Sequence, residues 1–304
     1  MKNFLKKNLE NKNGIFSFPV TDKQIKNVTD FYKHTPFPNY KDDDNKHSIY
    51  EKGNRNFLAK EFKKFIGNNK NVLEVGCGTG QLSIYFALGT NNQIIAIDPT
   101  LESIKLAKNF VKNNNISNIN YINADIFDDV LSEKYFDFIW CNGVLHHTKD
   151  PYGGFEIIMK SLKNQGYVLI GLYNKIGRIR TIIRKYLTMI FGKKILYFLD
   201  PTLKKLKISS NEKISWINDQ YFHPIESLHT LDEVLDWFKK NNIEYINSIP
   251  SCDFDILENY KNFFSKKSQG SFYSRLINQF LMIFSKLGSD GGLFVVIGKK
   301  NEPN

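Results

Sequence analysis

Arginine is scarce in this chain. Of 42 basic residues among 304, five are arginine (Arg55, Arg178, Arg180, Arg184 and Arg275), so lysine carries the net charge of +11. Lysine and asparagine abound throughout, the mark of a nucleotide bias, so the total charge by itself names no anionic partner. The three cysteines, Cys77, Cys141 and Cys252, are odd in number and far apart, which excludes a disulfide framework and a zinc site. No apolar run approaches the ~20 residues of a membrane-spanning helix. Residues Met1–Asn13 are polar and lysine-rich and lack the apolar core of a secretory signal, so a cytoplasmic protein is the expectation. No internal repeat is apparent. The length points to one core domain with elaborations.

What is present begins at residue 71. The apolar strand Asn71–Val75 runs into glycines at alternate positions, Gly76, Gly78 and Gly80, and an amphipathic stretch follows (Leu82, Ile84, Tyr85, Phe86, Leu88). Glycines in a strand-to-helix turn let the backbone approach a ligand where a Cβ would collide. A dinucleotide fingerprint needs glycine at the sixth position, which is Gln81, and a phosphate loop needs Gly-Lys-Ser/Thr, which is missing. A second strand, Gln93–Ile97, ends in Asp98, where an acid can accept two hydrogen bonds from ribose hydroxyls. Asp98 precedes Pro99, so a helix cap is the competing reading. A third strand, Ile119–Ile122, closes on Asn123-Ala124-Asp125, and Asp125 equally reads as a solvated loop acid. A fourth strand, Phe136–Trp140, leads into Cys141-Asn142-Gly143-Val144-Leu145-His146-His147. A helix from Gly154 to Leu162 and a fifth strand, Tyr167–Gly171, complete the series. Glu74 lies inside the first strand, where an unpaired carboxylate is costly. Its partners are either amides of the glycine turn or an amino group of a bound molecule.

The run Glu-x-Gly-x-Gly-x-Gly at 74–80 resembles motif I of the class I S-adenosylmethionine-dependent methyltransferases, of the small-molecule type with a type 11/12-like core. Four motifs in the family's order, each at a strand's C-terminal end, span 71–171. The resemblance implies an α/β fold with a Rossmann-like, seven-stranded, mostly parallel sheet and helical insertions forming a cap. It implies S-adenosylmethionine as cofactor, held by Glu74, Gly76, Cys77, Gly78 and Gly80 from the first motif. Asp98 with Pro99, Asp125 with Ile126, and Asn142 supply the rest. In the family, Glu74 would face the cofactor's amino group and Asp125 the adenine amino group. Val-Leu-His-His at 144–147 resembles the motif after strand four of small-molecule methyltransferases, including those of ubiquinone and menaquinone biosynthesis. His146 and His147 are therefore candidate bases, with a structural role in the turn as the alternative.

The division expected is an N-terminal aromatic arm and helix (1–70, helix at Gly53–Ile66), the cofactor-binding core (71–171), a basic helical insertion (172–229) and the end of the core (230–304). The last part carries a helix at Leu231–Asn241 with a Thr230/Glu233 capping box, strands at Ile243–Ile249 and Gly292–Gly298, and a second insertion at 250–291. From Lys175 to Lys207 there are ten basic residues and one acid, Asp200. They interleave with Ile176, Ile179, Ile182, Ile183, Tyr186, Leu187, Ile190 and Phe191 at helical spacing. A lid or cap over the acceptor site is the leading expectation, with an anionic membrane surface or an RNA-binding face as competitors.

Ahead of the capped helix lies a dense polar and aromatic stretch. Asp219, Tyr221, His223, Glu226 and His229 are read as acceptor-binding, and His223 as a third candidate base. His223, Glu226 and His229 lack a regular metal-ligand spacing, so no metal is expected. In the arm Phe31–Tyr40, Tyr40 is a candidate for acceptor contact. Tyr32, Tyr40 and Arg55 are candidates for the cofactor's carboxylate. After strand four there is no Asn-Pro-Pro-Tyr for planar amino groups, no Pro-Cys nucleophile, and none of the carboxylates of metal-dependent catechol-type enzymes. The expectation is metal-independent methyl transfer to O, N or S of a small-molecule or lipid-like acceptor. An RNA methyltransferase gripping through 175–207 is the alternative, and a scaffold that has lost its chemistry the third reading.

Overall fold

The computed structural model describes residues 2–34, 36–205, 210–254, 262–284 and 292–302. An N-terminal hairpin, β1 (Glu10–Lys12) and β2 (Ile15–Ser17), precedes three helices: α1 (Lys23–His34), α2 (Lys46–Arg55) and α3 (Phe57–Ile66). The core then alternates β3 (Asn71–Val75), α4 (Gln81–Ala87), β4 (Gln93–Asp98), α5 (Leu101–Asn113), β5 (Ile119–Asn123), β6 (Phe136–Asn142), α6 (Pro151–Ser161) and β7 (Leu162–Tyr173). The first insertion holds α7 (Ile179–Phe191), the short α8 (Leu196–Leu199) and α9 (Pro201–Lys205), and α10 (Ser210–Tyr221). The chain ends with α11 (Leu231–Lys240), β8 (Ile243–Ile249), α12 (Phe272–Leu281) and β9 (Leu293–Lys300).

One sheet has the order β1-β2-β5-β4-β3-β6-β7-β9-β8. Strands β3 to β7 run parallel, and β9 runs antiparallel to both β7 and β8. The order reverses between β4 and β6, which flank β3, so a crevice opens at the C-terminal ends of those strands. The parallel strands are covered on both faces, and their sequences are apolar runs instead of alternations. Leu73, Val75, Ile95 and Ile97 pack towards α6 and α11. Val72, Ile94, Ala96 and Phe138 pack towards α3, α4 and α5. Glu74 is the exception in β3, a carboxylate 5 % exposed inside that run.

Among the described residues nine strands stand where seven were expected. The two extra strands are the hairpin, whose loop is Asn13-Gly14 with both residues at positive φ, the two-residue turn that Asn-Gly favours. Strand β2 pairs parallel with β5, Ile15 opposite Tyr121, and so extends the sheet. The helix expected over Gly53–Ile66 is two helices, because the Asn56 side chain accepts the Ala59 N–H at 3.1 Å and caps a new start. Helix α6 begins earlier than expected, at Pro151, behind the N-cap Asp150. Strand β7 takes over at Leu162, where that helix was expected to end. Thr230 caps α11 as expected. The Glu233 side chain, though, accepts from His229 instead of the cap's own N–H, so the box is half made. The second insertion falls partly outside the described residues, at 255–261 and 285–291. No described helix is long and apolar enough to cross a membrane.

Candidate active site

The glycine turn after β3 fixes the floor of the site. Gly78 has φ +50°, and its N–H donates to Asp98 Oδ2 at 2.8 Å. The other oxygen of Asp98 accepts the Thr100 N–H, also at 2.8 Å. Asp98 thus ties the glycine turn to the start of the next helix, whose N-cap residue is Thr100. Burial outweighs these bonds and raises its carboxyl from the usual range. Burial pushes the Glu74 carboxyl up to about 8, and the Ser83 hydroxyl donates to it. Asp125 is pushed up to about 6 by burial while accepting the Phe127 N–H at 3.3 Å. Gly80 has a different task from its neighbours. A Cβ there would lie 2.8 Å from Ala107 Cβ and 2.9 Å from the Tyr121 hydroxyl, so this glycine lets α4 seat against α5 and β5.

Above the turn is a cavity of about 500 Å³. Of the residues expected to hold a cofactor, Glu74, Gly76, Cys77, Gly78, Asp98 and Pro99 line it, as do Asp125, Ile126 and Asn142. Gly80 does not. Asn142 Oδ1 is buried without a hydrogen-bond partner and lies against Gly171 of β7, where a Cβ would come within 1.7 Å of it. The roof comes from the N-terminal part of the chain and from α10. Ile25, Val28 and Tyr32 of α1, the arm residues Phe37 and Pro38, and Trp216 of α10 close over it. The arm is fastened to the floor: the Thr79 hydroxyl donates to Pro38 O at 2.5 Å, Gln81 Nε2 to Asn39 O at 3.0 Å, and the Tyr40 hydroxyl to Thr79 O at 2.7 Å.

Tyr40 is therefore a fastener, stacked on Phe110 with ring centroids 4.7 Å apart, and it does not line the cavity. Arg55 is exposed and lies outside the cavity wall, while Lys52, on the same helix, is in it and pairs with Asp44 at 2.6 Å. No feature of the sequence singled out Lys52. The basic insertion contributes Trp216, Asp219 and Gln220 of α10 and His223 just beyond it, with Tyr173 at its start; no residue of α7 lines the cavity, so the insertion's share of the roof comes from α10 and not from α7.

Three histidines were candidate bases, and the structure separates them. His146 is fully buried off the cavity, its ring 3.9 Å from that of Tyr173, and neither ring nitrogen has a hydrogen-bond partner. Burial holds it neutral, and its place is in the packing of the turn. His147 and His223 both line the cavity and stack on each other, ring centroids 3.7 Å apart. They share one acceptor, Ile225 O, at 2.7 Å from His147 Nδ1 and 2.6 Å from His223 Nδ1. A carbonyl only accepts, so the proton sits on Nδ1 of both rings and Nε2 carries a lone pair. The Ile225 N–H also approaches His223 Nδ1, at 3.2 Å, but the shorter carbonyl contact sets the tautomer. Burial lowers His147 to about 4 and, with His147 beside it, His223 to about 3. His223 Nε2 is buried with no partner.

Asp219 reaches the cavity wall too, accepting from the Tyr32 hydroxyl at 2.7 Å and from Gln220 Nε2 at 3.0 Å. The rest of the polar stretch is turned on the protein itself. Glu226 takes the Arg178 guanidinium at 2.7 and 3.2 Å. The Tyr221 hydroxyl donates to Asp200, which also accepts from Trp216. His229 bridges Ser227 and Glu233, each at 2.8 Å. None of these three lines the cavity. Arg178, which sequence reasoning saw only as basic charge, is fully buried, its guanidinium 3.4 Å from the Tyr173 ring centroid. Among the described residues no group of three His, Cys, Asp or Glu could hold a metal ion.

A family model described as "Methyltransferase domain" matches residues 66–242. A tRNA U34 carboxymethyltransferase of Alteromonas mediterranea is 31% identical over 107 residues, covering 33% of this chain and 32% of that protein. A ubiquinone biosynthesis O-methyltransferase of Neisseria meningitidis is 30% identical over 107 residues, covering 35% of this chain and 45% of that protein. The chain spans less than half the length of the curated relatives it matches. Among solved structures, phosphoethanolamine N-methyltransferase 2 of Haemonchus contortus, in complex with S-adenosyl-L-methionine, has a TM-score of 0.51 at 18% identity. It covers 94% of this chain and 62% of that one, a likeness of fold.

Proposed function

The chain belongs to the class I S-adenosylmethionine-dependent methyltransferases, and from that premise we propose that it transfers a methyl group to O, N or S of a small-molecule or lipid-like acceptor without a metal. The carrying observation is the roofed cavity, which sets the glycine turn and buried acids at one part of its wall and the His147/His223 pair, Asp219 and Tyr32 at another. A roofed pocket with a few polar groups on an apolar wall suits a small ligand.

The residues fit the cofactor. Gly78 brings backbone to the wall at a positive φ, and Asn142 lines the same wall at the end of β6. Asp98 would hold the ribose hydroxyls, Asp125 the adenine amino group and Glu74 the amino group of the methionine part. When bound, S-adenosylmethionine supplies a methyl group activated by its sulfonium, so the protein's task is chiefly orientation. The arm and α10 exclude water from above. His223 Nε2 and His147 Nε2 are neutral at pH 7 and present lone pairs, so either accepts a proton from an acceptor hydroxyl, thiol or ammonium. Asp219, held by Tyr32 and Gln220, orients the acceptor's polar group.

Two measurements test this reading. Asp98→Ala removes the ribose acceptor and frees the Gly78 and Thr100 N–H groups. S-adenosylmethionine affinity by calorimetry should fall by about 1–3 kcal/mol, roughly 5- to 150-fold in Kd. Equal affinity would reject Asp98 as the ribose acid. His147→Ala and His223→Ala should keep cofactor affinity and lower kcat by about 100-fold or more, the lower range for a general base. Because both rings stay neutral down to about 4, histidine protonation should not slow the wild-type enzyme between pH 8 and about 5, and a titration seen in that range belongs to Glu74 and Asp125, pushed up to about 8 and about 6. Unaltered turnover in both variants would remove the pair from the chemistry. The second reading, an RNA acceptor gripped by 175–207, draws on that segment's charge and on the tRNA-directed name of one relative. It requires RNA affinity that falls steeply with salt.

A further inference from the structure

Two helices in this fold are turned inside out. In α7 the residues Ile179, Ile183, Tyr186 and Ile190 follow helical spacing and all are exposed, with Met189 and Phe191 beside them. Met189 and Ile190 are 70% and 73% exposed. The residues of α7 that are buried are polar, Thr181 and Thr188. Helix α12 repeats the inversion. It buries Ser274, Asn278 and Gln279 and exposes Phe272, Tyr273, Leu276, Ile277, Phe280 and Leu281, with Phe284 just beyond its end. The inward polar side chains are anchored: Gln279 Oε1 accepts from Asn174 and from the Leu231 N–H, and Asn278 Nδ2 donates to Ser251 O and Asp253 O, while Asn278 Oδ1 is buried without a partner. These are docked helices with defined inner faces, and their apolar faces point out.

The two helices adjoin. Arg180 of α7 donates to Ile283 O just beyond α12, and a Cβ on Gly177 would touch Met282 at 3.1 Å. The start of α7, with exposed Ile179, therefore lies by the end of α12, with exposed Phe280, Leu281 and Phe284. The exposed charge beside α7 is cationic, and the acid that meets α12, Asp232, is taken up by Arg275 of that helix at 2.6 Å. Arg180, Lys193, Lys194 and Lys204 are exposed, while the single acid of that segment, Asp200, is buried and accepts from Trp216 and Tyr221. From 262 to 284 the sequence contains no acid.

We infer that this face seats on an anionic lipid bilayer, α7 and α12 lying in the headgroup region with their apolar stripes in the acyl boundary and the flanking lysines and arginines on lipid phosphates. Large exposed aromatic and aliphatic side chains on an amphipathic helix with a cationic flank are what interfacial binding requires. RNA would use the cations but not the apolar stripes, and a second copy would bring cations against cations. Both insertions leave the sheet at the end that carries the cavity, so a lipid-borne acceptor would meet the enzyme at that end. The inference does not depend on the methyl-transfer reading, since binding to vesicles is measured without turnover.

The test is co-sedimentation of the full chain with phosphatidylcholine vesicles, with and without phosphatidylglycerol. The expected result is binding to the anionic vesicles that weakens with salt. Ile183→Ser/Ile190→Ser/Phe191→Ser should lower the partition at least about tenfold, and so should Lys193→Glu/Lys194→Glu. All five positions are exposed or cation-bearing surface sites, and matched circular dichroism melts establish that the variants fold. Absence of binding to anionic vesicles, or binding untouched by both variants, would overturn the inference. So would a dimer in sedimentation equilibrium that the serine variant dissolves, or RNA retention lost in the glutamate variant without vesicle binding.

Discussion

Replacing Gly78 with valine is expected to lower S-adenosylmethionine affinity more than about a hundredfold while the sheet stays folded. Gly78 sits at φ +50°, where a residue with a Cβ is strained by about 1–2 kcal/mol and a β-branched one by more. Its new Cβ would stand 2.4 Å from Phe37 O, and because that atom is backbone it cannot swing aside. The arm must lift. The bonds from Thr79 to Pro38, Gln81 to Asn39 and Tyr40 to Thr79 then stretch together, each worth about 0.5–1.5 kcal/mol. The floor and the roof of the cavity are lost in one substitution. Calorimetry on a variant whose far-ultraviolet circular dichroism matches wild type decides the matter. Normal affinity would reject the turn as the cofactor's cradle.

Arg178→Met is the second, and its effect falls on stability. The guanidinium is wholly buried and meets Glu226 at 2.7 Å, Gln220 O at 2.7 Å and Gln220 Oε1 at 3.1 Å. Removing one partner of such a pair leaves the other charge poorly solvated and typically costs about 3–5 kcal/mol. A fall of that size in urea unfolding is expected, with part of it restored in Arg178→Met/Glu226→Met, where no charge is orphaned. The same arginine backs the cavity wall: Gln220 Nε2 donates to Tyr173 and to Asp219, which holds Tyr32. A loss under about 1 kcal/mol would mean that solvent reaches this network.

The core was legible because its signals are local. Three glycines at alternate positions, an acid at the tip of the next apolar run and a second acid after the following strand lie within sixty residues, and nine of the ten cofactor candidates line one cavity. Gly80 escaped because packing and ligand approach both demand glycine, and the spacing is the same for each. The stretch 219–229 was half misread for a related reason. Polar crowding looks alike whether the groups face a ligand or each other, and the partner that claims Glu226 lies 48 residues upstream. Tyr221 is likewise claimed by Asp200, 21 residues away. The helical period of α7 was visible, but a period does not say which way its stripe points. The buried Thr181 and Thr188 decide that, and a threonine in a basic helix gives no such sign beforehand. The Asn13-Gly14 turn was readable and passed over, because three-residue strands make a weak pattern.

That small hairpin settles how the sheet ends. An open sheet exposes unpaired N–H and C=O groups along its outermost strands, and these recruit strands from other molecules. Here β2 covers the flank of β5 and hands the margin to β1, three residues long and exposed, with Glu10 and Lys12 paired at 2.9 Å. At the opposite margin the Lys267 N–H donates to Ile246 O at 2.7 Å and the Asn247 side chain to Phe263 O at 3.0 Å, so a passing segment lies along β8. Too short on one side and occupied on the other, the sheet offers little template for the edge-to-edge stacking by which open α/β folds aggregate.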